Sequence, residues 1–132
     1  MKDLSYIIPK DKFDKEFAGN LNKYSISEVK EYIPQLLEWL QDGNWPVATP
    51  VGEYLQPHVN EIEDEIMGVL HTDDGVWKYW TLGLIYNYDK LPGDKIMAEV
   101  KRIAKYPTPH DIEEELQERA IEILEKFSTK KS

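Results

Sequence analysis

The side chains that could bind a metal ion or act as a nucleophile are few in this sequence. It contains no cysteine, which excludes disulfide bonds, thiolate zinc sites, iron–sulfur clusters and a cysteine nucleophile. Its histidines, His58, His71 and His110, lie far apart, whereas metal ligands on one helix face are three or four residues apart. The few glycines form no phosphate-binding loop, and no serine lies in a nucleophile-elbow motif. We therefore expect no metal, no cofactor and no catalytic residue.

Carboxylates, by contrast, are abundant, with 25 Asp and Glu against 16 Lys and Arg. The runs at 61–65 and 113–115 could each place two carboxylates on one helix face. A catalytic pair needs burial or a specific partner to separate the two pKa values, and the periodicity places both runs on a solvated face. Their spacing therefore favours helix-end electrostatics and solubility over acid–base catalysis.

The net charge of −9 argues against nucleic acid as a partner, because neutralising phosphates requires a basic face. Residues 61–100 hold 9 acidic and 3 basic residues, hence six of the nine excess negative charges. Such a segment could steer a basic protein toward it, and the candidate contacts are Glu61, Glu63 and Asp64. The alternative is a soluble face without a partner.

The elements that must position these residues are predicted to be helices, since apolar residues recur at helical spacing and no strand alternation is sustained. Pro34 should kink the helix that opens at the Ser25 capping box, and Thr108 with Pro109 is a strong start signal for the last helix. The predicted helices cover about 14–21, 25–40, 45–55, 59–70, 76–88, 94–105 and 108–127.

A shift of 32 residues aligns the chain with itself. Five residues, Asp42, Gly43, Trp45, Thr49 and Tyr54, match Asp74, Gly75, Trp77, Thr81 and Tyr86. A period of this length indicates stacked helical hairpins. We predict one all-α domain over 1–132, a short right-handed α-α superhelix of the HEAT/armadillo kind. An N-terminal capping helix precedes three hairpins at about 25–56, 58–88 and 92–127. A plain helical bundle is the alternative.

The repeat places Trp45 and Trp77 at equivalent positions, each just after the turn that opens the second helix of a hairpin. Second helices usually line the concave, partner-binding surface of a solenoid, and Trp is favoured at interface hot spots. We therefore predict a binding surface at Trp45 and Trp77 with their polar neighbours Thr49, Lys78 and Thr81. The alternative is that the tryptophans belong to the core.

Together these features predict a non-enzymatic protein-interaction module, in its most specific form an immunity or antitoxin-like protein that binds a basic partner. One alternative is a HEAT-like enzyme of the DNA glycosylase type, in which Trp45 and Trp77 act with Asp42 or Asp74. Another is a small-ligand binding module. The sequence has no signal-peptide pattern and no apolar run of membrane-spanning length, so we expect a cytoplasmic protein without membrane contact.

Four blocks of sequence also resemble a known family. They are Ile8-Pro9-Lys10-Asp11-Lys12-Phe13, Leu36-Leu37-Glu38-Trp39-Leu40-Gln41-Asp42, Asn44-Trp45-Pro46-Val47-Ala48 and Val76-Trp77-Lys78-Tyr79-Trp80. Together they resemble an uncharacterised bacterial domain-of-unknown-function family of about 130 residues, over roughly Ile8 to Phe127. The resemblance implies a helical-repeat fold in a bacterial protein, and it assigns no activity and no catalytic residue.

Overall fold

A computed structural model describes residues 7–128, which form eight α-helices and contain no β-strand. This confirms the all-α prediction. Two short 3-10 helices, Lys30–Tyr32 and Gln56–His58, lie beside the α-helices. The α-helices are α1 Phe17–Leu21, α2 Ile33–Glu38, α3 Ala48–Leu55, α4 Glu63–Leu70, α5 Gly75–Tyr86, α6 Asp94–Lys105, α7 Pro109–Glu113 and α8 Leu116–Ser128.

The helices pack in a chain of neighbours. Helix α4 contacts α2, α5 and α6, while α8 packs against α5, α6 and α7, and α1 packs against α3. Their apolar faces meet in one core whose largest fully buried side chains include Phe17, Phe127, Ile62 and Leu82. The contacts from α2 to α4 to α6 are those that stacked hairpins would make; the right-handed superhelix itself stays a prediction, as do the three hairpin boundaries.

Helix α6 illustrates how the sequence forms these elements. Its apolar residues fall at 96, 97, 100, 103 and 104, so they form one buried stripe, and its observed bounds are those predicted. Asp94 in the first turn and Lys105 in the last complement the helix dipole.

The region before α2 differs from the single kinked helix predicted there. The Ser25–Glu28 capping interactions form, with Glu28 Oε1 accepting from the Ser25 backbone N–H at 2.9 Å. The chain nevertheless continues through turns and a 3-10 helix until Ile33. Pro34 lies at the second position of α2. Backbone N–H groups in the first turn have no acceptor within the helix, so the N–H that proline lacks costs no hydrogen bond there. The proline thus marks where the α-helix begins.

The 32-residue repeat is broken at the start of α3. Helix α5 begins at Gly75 with Asp74 as its N-cap, and the Lys78 backbone N–H donates to Asp74 O at 3.0 Å. The residue equivalent to Lys78 is Pro46, which has no N–H to donate. Helix α3 therefore begins at Ala48, three residues later than the start we predicted, with no side-chain cap from Asn44.

The last predicted helix is two helices. Thr108 caps α7 as predicted, with a reciprocal capping box to Asp111. The chain then leaves the helix at Glu114, and Glu115 adopts a left-handed backbone with φ of 62°. Because α7 is separate from α8, Ile112 does not share the buried stripe of α8 as predicted; it is 56% exposed.

Candidate functional site

A groove opens between α3 and α5, with a volume of about 310 Å³. We call it the α3–α5 groove. It is lined by apolar side chains and glycines below a polar rim, so it could hold a ligand with both apolar and charged parts. The lining residues are Leu40, Gly43, Ala48, Thr49, Gly52, Glu53, Gln56, Trp80, Gly83, Leu84, Asn87 and Arg119.

The aromatic wall of the α3–α5 groove is held in place by its neighbours. A β-carbon at Gly43 would lie only 2.3 Å from the Trp80 ring, so the bare Gly43 backbone packs against that ring. Tyr79 meets Trp80 edge to face, with 5.4 Å between ring centroids. The Arg119 guanidinium lies over the Tyr79 ring at 4.6 Å. This stack orients Arg119 by a cation–π contact, which leaves its N–H donors available.

Glycine supplies the space in this groove. Gly52 in α3 and Gly83 in α5 sit inside helices, where glycine lowers stability by about 1 kcal/mol relative to alanine. No neighbouring atom lies within 4 Å of a β-carbon added at either position. Packing therefore does not require these two glycines, and their effect is to leave the groove open.

A second cavity, of about 230 Å³, lies among α2, α4 and the first turn of α5. We call it the Trp77 pocket. Trp77 forms one wall, and its indole Nε1 donates to Leu37 O at 2.8 Å, which fixes the ring. Gly68 of α4 is again a helix glycine with open space around its β-carbon position. The lining residues are Pro34, Leu37, Glu38, Glu65, Gly68, Val69 and Trp77.

The charges that line the Trp77 pocket are both negative. Glu65 has a side chain only 15% exposed and binds Lys30 Nζ at 2.7 Å. Glu38 is exposed, and its carboxylate makes no hydrogen bond or ion pair with any residue in 7–128. An aromatic wall, an aliphatic lining and an unpaired carboxylate are the features that accommodate the stem and head of a basic side chain.

The acidic residues named from the sequence precede Glu65 in the chain, on the turn before α4 and in its first turn. Glu61 accepts from His58 Nδ1 at 2.8 Å, and Asp64 pairs with Lys95 at 3.0 Å, a contact that raises the pKa of Lys95. Glu63 lies against Gly93, where a β-carbon would be 2.2 Å from its Oε2, and accepts from the Ile96 N–H at 3.4 Å. Two of these carboxylates are exposed, and Glu63 is largely committed to α6.

The residues predicted to form a ridge along the second helices do not share one surface. Thr49 lines the α3–α5 groove, while Trp77 lines the other pocket. Trp45 lines neither cavity and packs edge to face on Trp39, with 5.7 Å between ring centroids. Lys78 and Thr81 point toward the core, at 7% and 0% exposure, because they share the buried face of α5.

The carboxylates of the glycosylase alternative have structural partners. Asp74 Oδ1 caps α5 by accepting from the Trp77 N–H at 3.0 Å, and Asp42 Oδ1 accepts from the Asn44 N–H at 2.8 Å. Each aspartate thus fixes a turn. Residues 7–128 include no group of three or more metal-ligating side chains that could hold an ion.

Sequence reasoning missed Trp80, Arg119 and Glu38 as site residues. Trp77 and Trp80 lie in the same helix, and the two rings line different cavities. The sequence feature that could have indicated the cavities is glycine within the predicted helices. Gly52, Gly68 and Gly83 lie there although no turn requires a glycine, and all three line a cavity.

Comparison with known families identifies a match over most of the chain. The family model described as Domain of unknown function (DUF5071) matches residues 7–124 of the 132-residue chain. This confirms the predicted resemblance to an uncharacterised domain family of about this length. No curated protein matches the chain.

Proposed function

The chain belongs to the DUF5071 family of domains of unknown function, and we propose that it is a non-enzymatic protein-interaction module of the bacterial cytoplasm. It binds a basic partner at the acidic surface around the Trp77 pocket, as an immunity or antitoxin-like protein would. In the part of the chain that the structure describes, no helix is long and apolar enough to cross a membrane.

The observation that carries this proposal is the chemistry of the Trp77 pocket. Among residues 7–128, the charged residues that line it are Glu38 and Glu65, and the exposed Glu61 and Asp64 precede Glu65 in the sequence. A lysine or arginine of a partner could place its aliphatic stem along Val69 and the indole of Trp77, with its charge at Glu38.

The charge of the whole molecule supports the same partner. The net charge of −9 would speed the approach of a basic protein, while the pocket would hold it once bound. Glu38 is the strongest candidate for an intermolecular pair, because Asp64 and Glu65 already form intramolecular ion pairs and Glu61 already accepts a hydrogen bond from His58.

The test begins with affinity capture of a partner from the native host, followed by calorimetry with the purified pair. We expect Glu38→Lys to weaken the complex by at least about tenfold and to flatten its salt dependence. Gly68→Leu should also weaken the complex, because a side chain at Gly68 meets open space and would fill the pocket.

Two control variants match these changes elsewhere on the surface. Glu122→Lys makes the same charge change at an exposed position of α8, and Gly19→Leu adds the same side chain at an unhindered α1 position. Both should leave the affinity unchanged. The proposal is wrong if no partner is captured, or if Glu38→Lys and Glu122→Lys bind the partner equally well.

A further inference from the structure

We propose that the α3–α5 groove is a second, independent site, which binds a small zwitterion of the amino-acid type. Its carboxylate would bind Arg119, its ammonium group would face Glu53, and its apolar side chain would lie on Trp80. This function goes beyond the protein interaction proposed for the Trp77 pocket, because the two cavities share no lining residue.

The two arginines differ in their ion pairs. Arg102 is bound by both Glu99 and Asp111, at 3.0 Å each. Arg119 makes no ion pair with any residue in 7–128, although the chain holds 25 carboxylates. Its guanidinium is instead held over Tyr79, at the edge of the groove. A planar guanidinium with free donors binds a ligand carboxylate in a bidentate manner.

The same groove also carries a negative charge, that of Glu53, opposite in sign to Arg119. Glu53, on α3, is exposed and lines the groove, yet its carboxylate makes no hydrogen bond or ion pair with the described residues. Glu53 and Arg119 are within one cavity and do not pair with each other. A simple anion would be repelled by Glu53 and a simple cation by Arg119, whereas a zwitterion satisfies both groups.

The size and lining of the groove also suit such a ligand. The groove volume of about 310 Å³ lies at the lower end of the range for ligand sites, roughly 300–1,000 Å³. This suits a single amino acid better than a nucleotide cofactor. In the same groove, Trp80 and Leu84 offer an apolar surface, and Gly52 and Gly83 keep it uncovered at the expense of helix stability.

The experiment is a titration of the ¹⁵N-labelled protein with three probes, followed by NMR. L-phenylalanine carries both charges, phenylalanine amide lacks the carboxylate, and N-acetylphenylalanine lacks the ammonium group. We expect phenylalanine to shift the signals of Gly52, Gly83 and the Trp80 indole in a saturable way. Its Kd should be about 1 mM or tighter, and each derivative should bind at least about tenfold more weakly.

Variants then assign the charges. Arg119→Gln should weaken the binding of phenylalanine about tenfold. It should leave the binding of phenylalanine amide unchanged, because the amide has no carboxylate to bind Arg119. Gly83→Leu should abolish the binding of every probe, and Gly19→Leu should bind as the unmodified protein does. Thermal melting establishes that each variant is folded.

Three outcomes would overturn the proposal. The first is that about 10 mM phenylalanine leaves the groove signals of the folded protein unshifted. The second is that all three probes bind equally, which would mean that the two charges are not used. The third is that Arg119→Gln binds phenylalanine with unchanged affinity.

Discussion

Asp111 is the one buried carboxylate among residues 7–128, at 2% exposure. Its Oδ2 accepts from the Thr108 N–H at 2.9 Å and from Arg102 Nη1 at 3.0 Å, so it joins the start of α7 to α6. Burial raises the pKa of Asp111, but the hydrogen bonds from Thr108 and the Arg102 guanidinium outweigh it and leave the pKa below its usual value. The charged form of Asp111 therefore stabilises the fold.

Replacing Asp111 with Asn tests this contribution. We expect Asp111→Asn to lower the free energy of unfolding at pH 7 by about 2 kcal/mol, because two hydrogen bonds lose their charged acceptor. The measurement is urea denaturation. The exposed Asp64→Asn is the matched control and should change the stability little, since Asp64 pairs on the surface.

The lowered pKa of Asp111 also predicts how the stability difference between the unmodified protein and Asp111→Asn depends on pH. A lowered pKa in the folded state contributes stability above the unfolded value of 3.8, and that stability is lost as the pH falls through the folded pKa. The difference between the unmodified protein and Asp111→Asn should thus be constant above about pH 5 and shrink below about pH 4. A difference that grew on acidification would contradict this assignment.

Thr81 presents the opposite case, a buried hydroxyl whose Oγ1 has no hydrogen-bond partner among residues 7–128. Thr81→Val replaces it with a methyl group of similar shape, so we expect the free energy of unfolding to rise by about 1 kcal/mol. Thr108→Val should lower it by about the same amount, because that hydroxyl caps α7. Thermal melts of both variants test the contrast, and a destabilised Thr81→Val would reveal that its hydroxyl is in fact bonded.

At the scale of elements, the junction between α7 and α8 depends on Glu115. Its left-handed backbone, with φ of 62°, is unfavourable for a residue with a β-carbon by about 1 kcal/mol, whereas glycine adopts it freely. We expect Glu115→Gly to raise the free energy of unfolding by up to about 1 kcal/mol. Glu122→Gly, within α8, should lower it by a similar amount. If Glu115→Gly and Glu122→Gly lower the free energy of unfolding equally in chemical denaturation, the Glu115 backbone is not strained.

The sequence predicted some elements far better than others. In α6, one apolar stripe and suitable end charges agree with the packing, so the predicted bounds were correct. The break at Glu114 and Glu115 could not be read from sequence, since glutamate is a good helix former. The structure places the Glu114 side chain against Gly75, where a β-carbon would be 2.3 Å away, so tertiary packing decides this turn.

The cavities were predictable only in part. Trp77 and Thr49 were named, but the repeat implied that they belong to one ridge, whereas Lys78 and Thr81 turn to the core. Whether a tryptophan lines a cavity depends on neighbours distant in sequence: Gly43 packs on Trp80 from the turn before α3, and Leu37 holds the Trp77 indole. No local pattern encodes those contacts, although the unexplained helix glycines point to open space.

For the whole molecule, the C-terminal helices complete the core. Leu116, Ala120, Ile123 and Phe127 of α8 are all fully buried against α5 and α6. The three larger side chains contribute about 2 kcal/mol each. This is comparable with the whole free energy of unfolding of a small domain, roughly 5–15 kcal/mol.

We therefore expect a chain that ends at Tyr106, before α7 and α8, to lose cooperative folding. Circular dichroism during heating should show a low helical signal without a sharp transition. Phe127→Leu in the full-length chain is the control and should still melt cooperatively at a lower temperature. A truncated chain with a sharp transition would mean that α1 to α6 form an independent core.

The contacts between helices also imply an order of opening. Helix α5 lies against both α4 and α8, whereas α2 is preceded by turns and meets the later helices mainly through α4. Amide protons of α5 should consequently exchange with deuterated water only on global unfolding, and those of α2 through smaller local openings. Since α2 forms one side of the Trp77 pocket, a molecule that bridges α2 and α4 there would slow exchange in α2 first. Deuterium uptake would thus report occupancy of the pocket by a change in the kinetics of one short helix.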